Sequence, residues 1–250
     1  MNAIEKLLAI PDALRGMLFS SPERNGEYRF LRSYLSAGMV VFDVGANVGD
    51  YARYILSLGR PLELHCFEPV AGTFATLRAN LADYGDANVK LNNFGLSDEV
   101  GEKEMFVYSD NAGSNSLYYH EHHAEMAAHR HRKEAAHFSR LDDYVASKGI
   151  EMISFLKIDV EGHESAVIHG ARQTIESGRI QCIQFEYNNY WQRSGKSLLD
   201  LMSLLRRWQK FHFFRLTPWG RLPVIPYDHA LENYKHSNYI AVLTQNETQC

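Results

Sequence analysis

The sequence predicts an α/β protein, a three-layer sandwich with helices on both faces of a mostly parallel sheet. Three observations carry this. First, Val40, Val41 and Phe42 form an apolar run closed by Asp43, the pattern of a strand buried on both faces. Second, Gly45 and Gly49 then flank a tight turn, and Tyr51, Ile55 and Leu58 follow at helical spacing. Third, strand, turn and helix succeed one another again over 62–81 and over 153–171, the alternation that builds parallel sheets.

The 250 residues suit one α/β domain, and 45% hydrophobic with 22% charged residues is ordinary for a globular chain. A net charge of −4 leaves no footprint for nucleic acid. No apolar run reaches membrane-spanning length, and the first residues lack the layout of a secretory signal. Cys66, Cys182 and Cys250 form no metal-ligand spacing. We read them as reduced thiols and expect a cytoplasmic protein.

Taken in order, residues 1–37 are expected to be a helical segment packing on the sheet, because Tyr28, Leu31, Tyr34 and Leu35 share one helical face. Gly38 ends it, and residues 38–250 form the main domain. The turn at 45–49 joins a strand to a helix N-terminus, where open α/β sheets bind ligands. It lacks the Gly-Lys-Ser/Thr of a phosphate loop, and Asn47 breaks the dinucleotide spacing while tolerating a left-handed backbone. Asp50 stands where a pyrophosphate would sit, and Asp43 adds a second carboxylate. A ligand bearing positive charge fits better, and S-adenosylmethionine (SAM), with its ammonium and sulfonium, is the first choice. The plainer reading of Asp50 is compensation of the helix dipole.

Residues 62–68 read as the second strand, ended by Glu68 and Pro69. Glu68 lies about twenty residues beyond the glycine turn, the place of an acid that binds ribose hydroxyls. Phe74, Leu77 and Leu81 mark the next helix, and 88–96 the third strand with its exit. Ser97 and Asp98 follow and are placed to meet an adenine amine, or to form a plain turn. Residues 103–108 alternate weakly, as an extra strand would.

Residues 109–137 interrupt the rhythm as a His-rich insert carrying His120, His122, His123, His129, His131 and His137. No pair has the spacing of a zinc helix. A solvated helix or lid is expected, with a histidine acting on the acceptor as the sharper alternative. Leu141, Tyr144 and Val145 suit a short helix. Residues 153–158 are a buried strand interrupted by Lys157, followed by Asp159, Glu161, His163 and Glu164 at its carboxyl end, where such sheets do chemistry. Lys157 is expected to pair with a carboxylate. Residues 180–187 are the fifth strand, ending at Glu186 and Tyr187, with polar and aromatic residues beyond. Residues 211–216 and 239–244 are the last strands.

D-V-G-A-N-V-G at 43–49, F-E-P at 67–69, G-L-S-D at 95–98, L-D-D-Y at 141–144, F-L-K-I-D-V-E-G-H-E at 155–164 and H-G-A at 169–171 resemble, in order, the FkbM family of SAM-dependent methyltransferases. The resemblance covers roughly residues 38–190. It implies a class I methyltransferase (Rossmann-like) fold with a seven-stranded, mostly parallel sheet and an antiparallel last strand. It also implies SAM as donor, usually for O-methylation of a sugar, polysaccharide or secondary metabolite. Asp43, Gly45, Asn47, Gly49, Glu68 and Pro69 become donor contacts, with Ser97 and Asp98 beside them. Lys157, Asp159, Glu161 and His163 become the catalytic candidates, with Asp159 ranked first as base on position and His163 second on chemistry. His163 replaces a residue that is often small in the family. The base acts directly or through a divalent ion. The expected partner is a small-molecule or glycan acceptor; oligomeric state is open. A nicotinamide-dependent oxidoreductase and a SAM-fold module that only binds a partner are the competing classes.

Overall fold

The computed structural model describes residues 21–85, 87–110, 113–119 and 131–244, together with Ile10, Pro11 and Leu14. Eleven strands are present among them: β1 (Val40–Val44), β2 (Glu63–Phe67), β3 (Asn88–Asn92), β4 (Gly95–Leu96), β5 (Gly101–Val107), β6 (Arg132–Ser139), β7 (Phe155–Ile158), β8 (Cys182–Tyr187), β9 (Phe211–Thr217), β10 (Gly220–Pro223) and β11 (Ser237–Leu243). The main sheet runs β10-β9-β11-β8-β7-β1-β2-β3. Pairing is parallel from β3 through β8, and antiparallel between β8 and β11, β11 and β9, and β9 and β10. The α/β sandwich and its antiparallel ending are thus as the sequence predicts.

Successive strand residues point to opposite faces, so the apolar runs feed two cores. Phe42, Val44, Leu156 and Ile158 enter one core, beneath the helices Leu141–Lys148, Glu164–Gly170 and Leu198–Trp208. Val41, Phe155, Ile240 and Val242 enter the other, beneath the helices Glu27–Tyr34 and Asp50–Ser57. The first of these buries Phe30, Leu31 and Tyr34, and its Tyr34 hydroxyl donates to the Ser154 carbonyl at 3.0 Å.

The structure differs from the expected fold in three places. The main sheet has eight strands, because residues 220–223, between the two expected last strands, turn back on β9 as β10. The expected third strand splits: β3 stops at Asn92, and Gly95–Leu96 leave to pair with β6. With β5 these form a second sheet in the order β4-β6-β5. The end of the His-rich insert is therefore strand rather than helix. Ala136 and Phe138 point into a small core with Val70, Met105 and Val107, while His137 points outward. Helix formers such as Ala, Glu and Lys fill this stretch, but antiparallel pairing with β5 from Arg132 to Phe138 decides its conformation. His120, His122, His123 and His129 lie outside the described residues.

Candidate active site

The site forms at the carboxyl edge of β1, β2, β7 and β8, and strand parity explains its charges. Asp43, Lys157 and Gln184 are neighbours in register across β1, β7 and β8. Two residues further on, Asp159 just past the end of β7 and Glu186 within β8 continue the row, and Asn238 pairs with Glu186 from β11. One row of alternate positions is thus polar in an otherwise apolar sheet.

Lys157 anchors it. Its ammonium lies 3.4 Å from Asp43 Oδ1 and 3.2 Å from Asp159 Oδ2, with the Tyr51 ring centroid 4.6 Å away. Burial works against this charge, but Asp159, Asp43 and Glu27 outweigh it and raise its pKa. Asp43 is fully buried, and burial raises its pKa despite the lysine. At Asp159 burial acts upward too, yet Lys157 prevails and the carboxyl is held below its ordinary value. Beside it, burial and then the Glu186 charge push Glu161 well up, while burial and Asp159 push Glu186 up to about 7. Asn188 Nδ2 donates to both, at 2.9 Å to Glu161 and 2.7 Å to Glu186. The His236 imidazole bonds to the remaining Glu186 oxygen. Burial would lower the pKa of His236, but Glu186 dominates and lifts it to about 9.

The glycine turn supplies the other wall. Gly45 and Asn47 have positive φ, 79° and 48°. A Cβ on Gly45 would lie 1.8 Å from the Asp159 carbonyl oxygen, so only glycine lets β1 and β7 approach here. Glu68 is 6% exposed; its carboxylate accepts from the Asn47 amide at 3.0 Å and the Val70 amide at 2.9 Å. Burial nonetheless lifts it to about 7.

Two cavities open at this edge. One of about 170 Å³ is bounded by Gly45, Asn47, Glu68, Pro69, Leu96, Phe138 and His163. The other, about 700 Å³, lies against Glu27, Tyr28, Tyr51, Tyr54, Lys157 and His236. They share Gly45, Asn47, Asp159 and Glu186.

Of the residues expected at a donor, Gly45, Asn47, Glu68 and Pro69 line the smaller cavity, whereas Asp43, Gly49, Ser97 and Asp98 line neither. Asp43 sits behind the wall with Lys157. Gly49 closes the turn against Leu77, whose Cδ1 would lie 2.7 Å from an added Cβ. Ser97 is fully buried, and its hydroxyl donates to Asp98 at 2.9 Å. That hydrogen spent, Ser97 Oγ accepts from His163 Nε2, 2.9 Å away, which leaves Nδ1 to accept from the Tyr118 hydroxyl at 3.3 Å. Burial drops the His163 pKa to about 4. With both nitrogens engaged and the ring neutral, His163 is a wall of the smaller cavity. The pairing of Asp159 with Lys157 holds its carboxyl pKa below those of its acidic neighbours Glu161 and Glu186. Glu164 stays out of the chemistry: its Oε1 accepts from Val160 and Gly162 amides at 3.1 and 3.3 Å and ties the preceding turn.

Sequence reasoning missed three groups. Glu186 was read only as a strand end. His236 sits in no motif. Glu27 is buried at 5% exposure from the N-terminal segment, held by the amides of Asn25, Gln184 and Asn238. Strand parity was the one usable signal, for it places Glu186 level with Asp159.

Asp159, Glu161 and Glu186 bring carboxylate oxygens within 4.8 Å of one another, close enough for a divalent ion. Each already accepts from a neighbour, however: Lys157 at Asp159, Asn188 at Glu161, and Asn188 and His236 at Glu186. An ion there would share the Glu186 carboxylate with an imidazolium and sit beside an ammonium. The cluster fits compensation by those two cations rather than a metal centre.

Comparison with known proteins places this geometry. The model of the methyltransferase FkbM domain matches residues 43–212. The chain is 29% identical over 201 residues to the 31-O-demethyl-FK506 methyltransferase FkbM of Streptomyces tacrolimicus, covering 68% of this chain and 77% of that one. It is 27% identical over 175 residues to the 2-O-methyltransferase NoeI of Sinorhizobium fredii, covering 65% and 70%. Among solved structures, the methyltransferase FkbM from Methylobacillus flagellatus shares the fold with a TM-score of 0.53 at 20% identity, over 91% of this chain and 52% of that one. Among the described residues no helix is long and apolar enough to cross a membrane. With motif order, sheet order and family match in agreement, the chain belongs to the FkbM methyltransferase family and is a methyltransferase.

Proposed function

We propose that this enzyme transfers the methyl group of SAM to a hydroxyl of a small molecule or glycan. The observation that carries the reading is the meeting of two cavities over Asp159 and Glu186, one walled by Glu68 and the glycine turn, the other open to solvent. The smaller suits the adenosine end of the donor. Both Glu68 oxygens keep a lone pair for the ribose hydroxyls after accepting from Asn47 and Val70. Asn47 Oδ1 is buried there with no donor among the described residues. Asp43, Gly49, Ser97 and Asp98 support this wall from behind. Bound SAM supplies an activated methyl on a sulfonium. The chain's part is to hold donor and acceptor in line and to receive the acceptor's proton. The carboxylates beside the shared wall favour oxygen as the acceptor, since a hydroxyl must lose its proton during transfer. Two of the relatives, those of Streptomyces tacrolimicus and Sinorhizobium fredii, have names that refer to O-methylation, which agrees with this reading.

The test is incubation with methyl-tritiated SAM and two panels, one of hydroxylic compounds such as methyl glycosides and one of primary amines. Label is expected in ethers. Label found only in amines would sink the oxygen reading.

A further inference from the structure

The family match ends at residue 212, and His236 lies beyond it. Yet this histidine reaches the shared wall of the two cavities. It stands just before β11, two positions from Asn238, which is paired with Glu186. Its Nε2 is bonded to Glu186 Oε1, while Asn188 holds Oε2 at 2.7 Å. Glu186 lines both cavities. Asp159 is held by the Lys157 ammonium, both His163 nitrogens are engaged by Ser97 and Tyr118, and Glu161, whose Oε2 accepts from Asn188, lines only the smaller cavity.

We propose that Glu186 takes the proton of the acceptor hydroxyl and that His236 is its positioning residue, fixing the carboxylate and supplying its counter-charge until the acceptor arrives. The inference rests on the reading of methyl transfer to oxygen. In the step, the acceptor oxygen forms a bond to the methyl carbon as the carbon–sulfur bond breaks. Its electron pair goes to sulfur, which becomes a neutral thioether. The O–H proton passes to Glu186, which becomes a neutral carboxyl, and His236 remains an imidazolium, so charge balances.

The need for His236 follows from what faces Glu186. Asp159 faces it from β7 and Glu161 from the following loop; Glu164 acts from the next helix. Glu27 acts on His236 from the N-terminal helix. Lys157 is the other cation of the cluster, but it lies against Asp43 and Asp159. Without the imidazolium, carboxylates on three sides and burial would favour the protonated form of Glu186, which accepts no proton. At 44% side-chain exposure His236 can adjust to an acceptor entering the larger cavity.

Two measurements on the full chain test this. With S-adenosylhomocysteine bound, histidine-selective NMR from pH 5 to 10 should show the His236 ring, assigned by loss of its signal in His236→Gln, titrating well above the ordinary histidine range. In Glu186→Gln it should return to that range. An ordinary titration in the wild type overturns the pairing, and this readout needs no acceptor. With a methyl glycoside and tritiated SAM, Glu186→Gln should lower kcat about 10³-fold while binding S-adenosylhomocysteine as tightly as the wild type. His236→Gln should lower kcat about tenfold at pH 7 and recover towards pH 9, because the acid limb moves to higher pH when the counter-charge is lost. Wild-type turnover in Glu186→Gln, or an unmoved acid limb in His236→Gln, overturns the assignment. A chain that binds no S-adenosylhomocysteine, or methylates only amines, fails the oxygen-transfer reading instead, whatever His236 does.

Discussion

At Lys157 an ammonium is buried between two carboxylates, 3.4 Å from Asp43 and 3.2 Å from Asp159. Its partner Asp43 is fully buried, and Asp43 Oδ2 has no donor among the described residues. Lys157→Met would leave that carboxylate without a counter-charge, which costs about 3–5 kcal/mol. The urea unfolding midpoint should fall accordingly; an unchanged midpoint would contradict this account of Asp43. That Lys157 pairs with a carboxylate was legible from sequence; that Asp43, read there as a donor contact, is one of its partners was not. A charged residue inside an apolar strand needs a partner, and strand ends at a parallel sheet's carboxyl edge are where partners gather. Glu186 and His236 were not legible, because their meeting depends on the register between β8 and β11, more than fifty residues apart in sequence.

The N-terminal helix Glu27–Tyr34 shows how an element contributes more than cover. Its apolar spacing reveals the face that packs on the sheet, but not Glu27, whose carboxylate accepts from Gln184 Nε2 at 2.6 Å and Asn238 Nδ2 at 2.9 Å. Gln184 in turn accepts from the Tyr51 hydroxyl at 3.0 Å, which links the helix to the polar row of the sheet. Glu27→Ala would strand buried amides, at about 2–3 kcal/mol, and loosen one wall of the larger cavity. A double-mutant cycle with Gln184→Leu should show coupling of Glu27 and Gln184, and additive losses would argue against the network. The small sheet gives the opposite lesson. Its last strand is made of residues that favour helices, and only pairing with β5 decides the matter. Local pattern reads amphipathic faces well and reads long-range pairing poorly.

For the whole molecule, the parallel α/β sheet followed from alternating runs and glycine turns and its antiparallel ending from the family resemblance, while the eighth strand and second sheet required tertiary context. The buried charges give the fold a defined pH response. Burial raises Glu68 to about 7 and Glu164 to about 8. The native state therefore holds protons that the unfolded chain has released, and stability falls as pH rises from the ordinary carboxyl value through these values. His236, raised to about 9, adds stability that is present below the ordinary histidine value and lost as pH climbs through 9. His163, lowered to about 4, works the other way, but only below the ordinary histidine value. From pH 6.5 to 9 these raised groups point in one direction, so the melting temperature of the ligand-free protein should fall. Glu164→Gln, which removes a buried oxygen that has no partner among the described residues, should flatten that fall. A melting temperature that rises over this interval would contradict the placement of these carboxylates.

The central claim is that the glycine turn and Glu68 form the adenosine wall of a SAM site, and calorimetric titration with S-adenosylhomocysteine and with NAD tests it most directly. The expected result is one site per chain for S-adenosylhomocysteine, no heat with NAD, and binding at least about tenfold weaker in Glu68→Ala, the loss of a charge-assisted contact to the ribose. Binding of NAD in place of S-adenosylhomocysteine, or a Glu68→Ala chain that holds S-adenosylhomocysteine as tightly as the wild type, would contradict it.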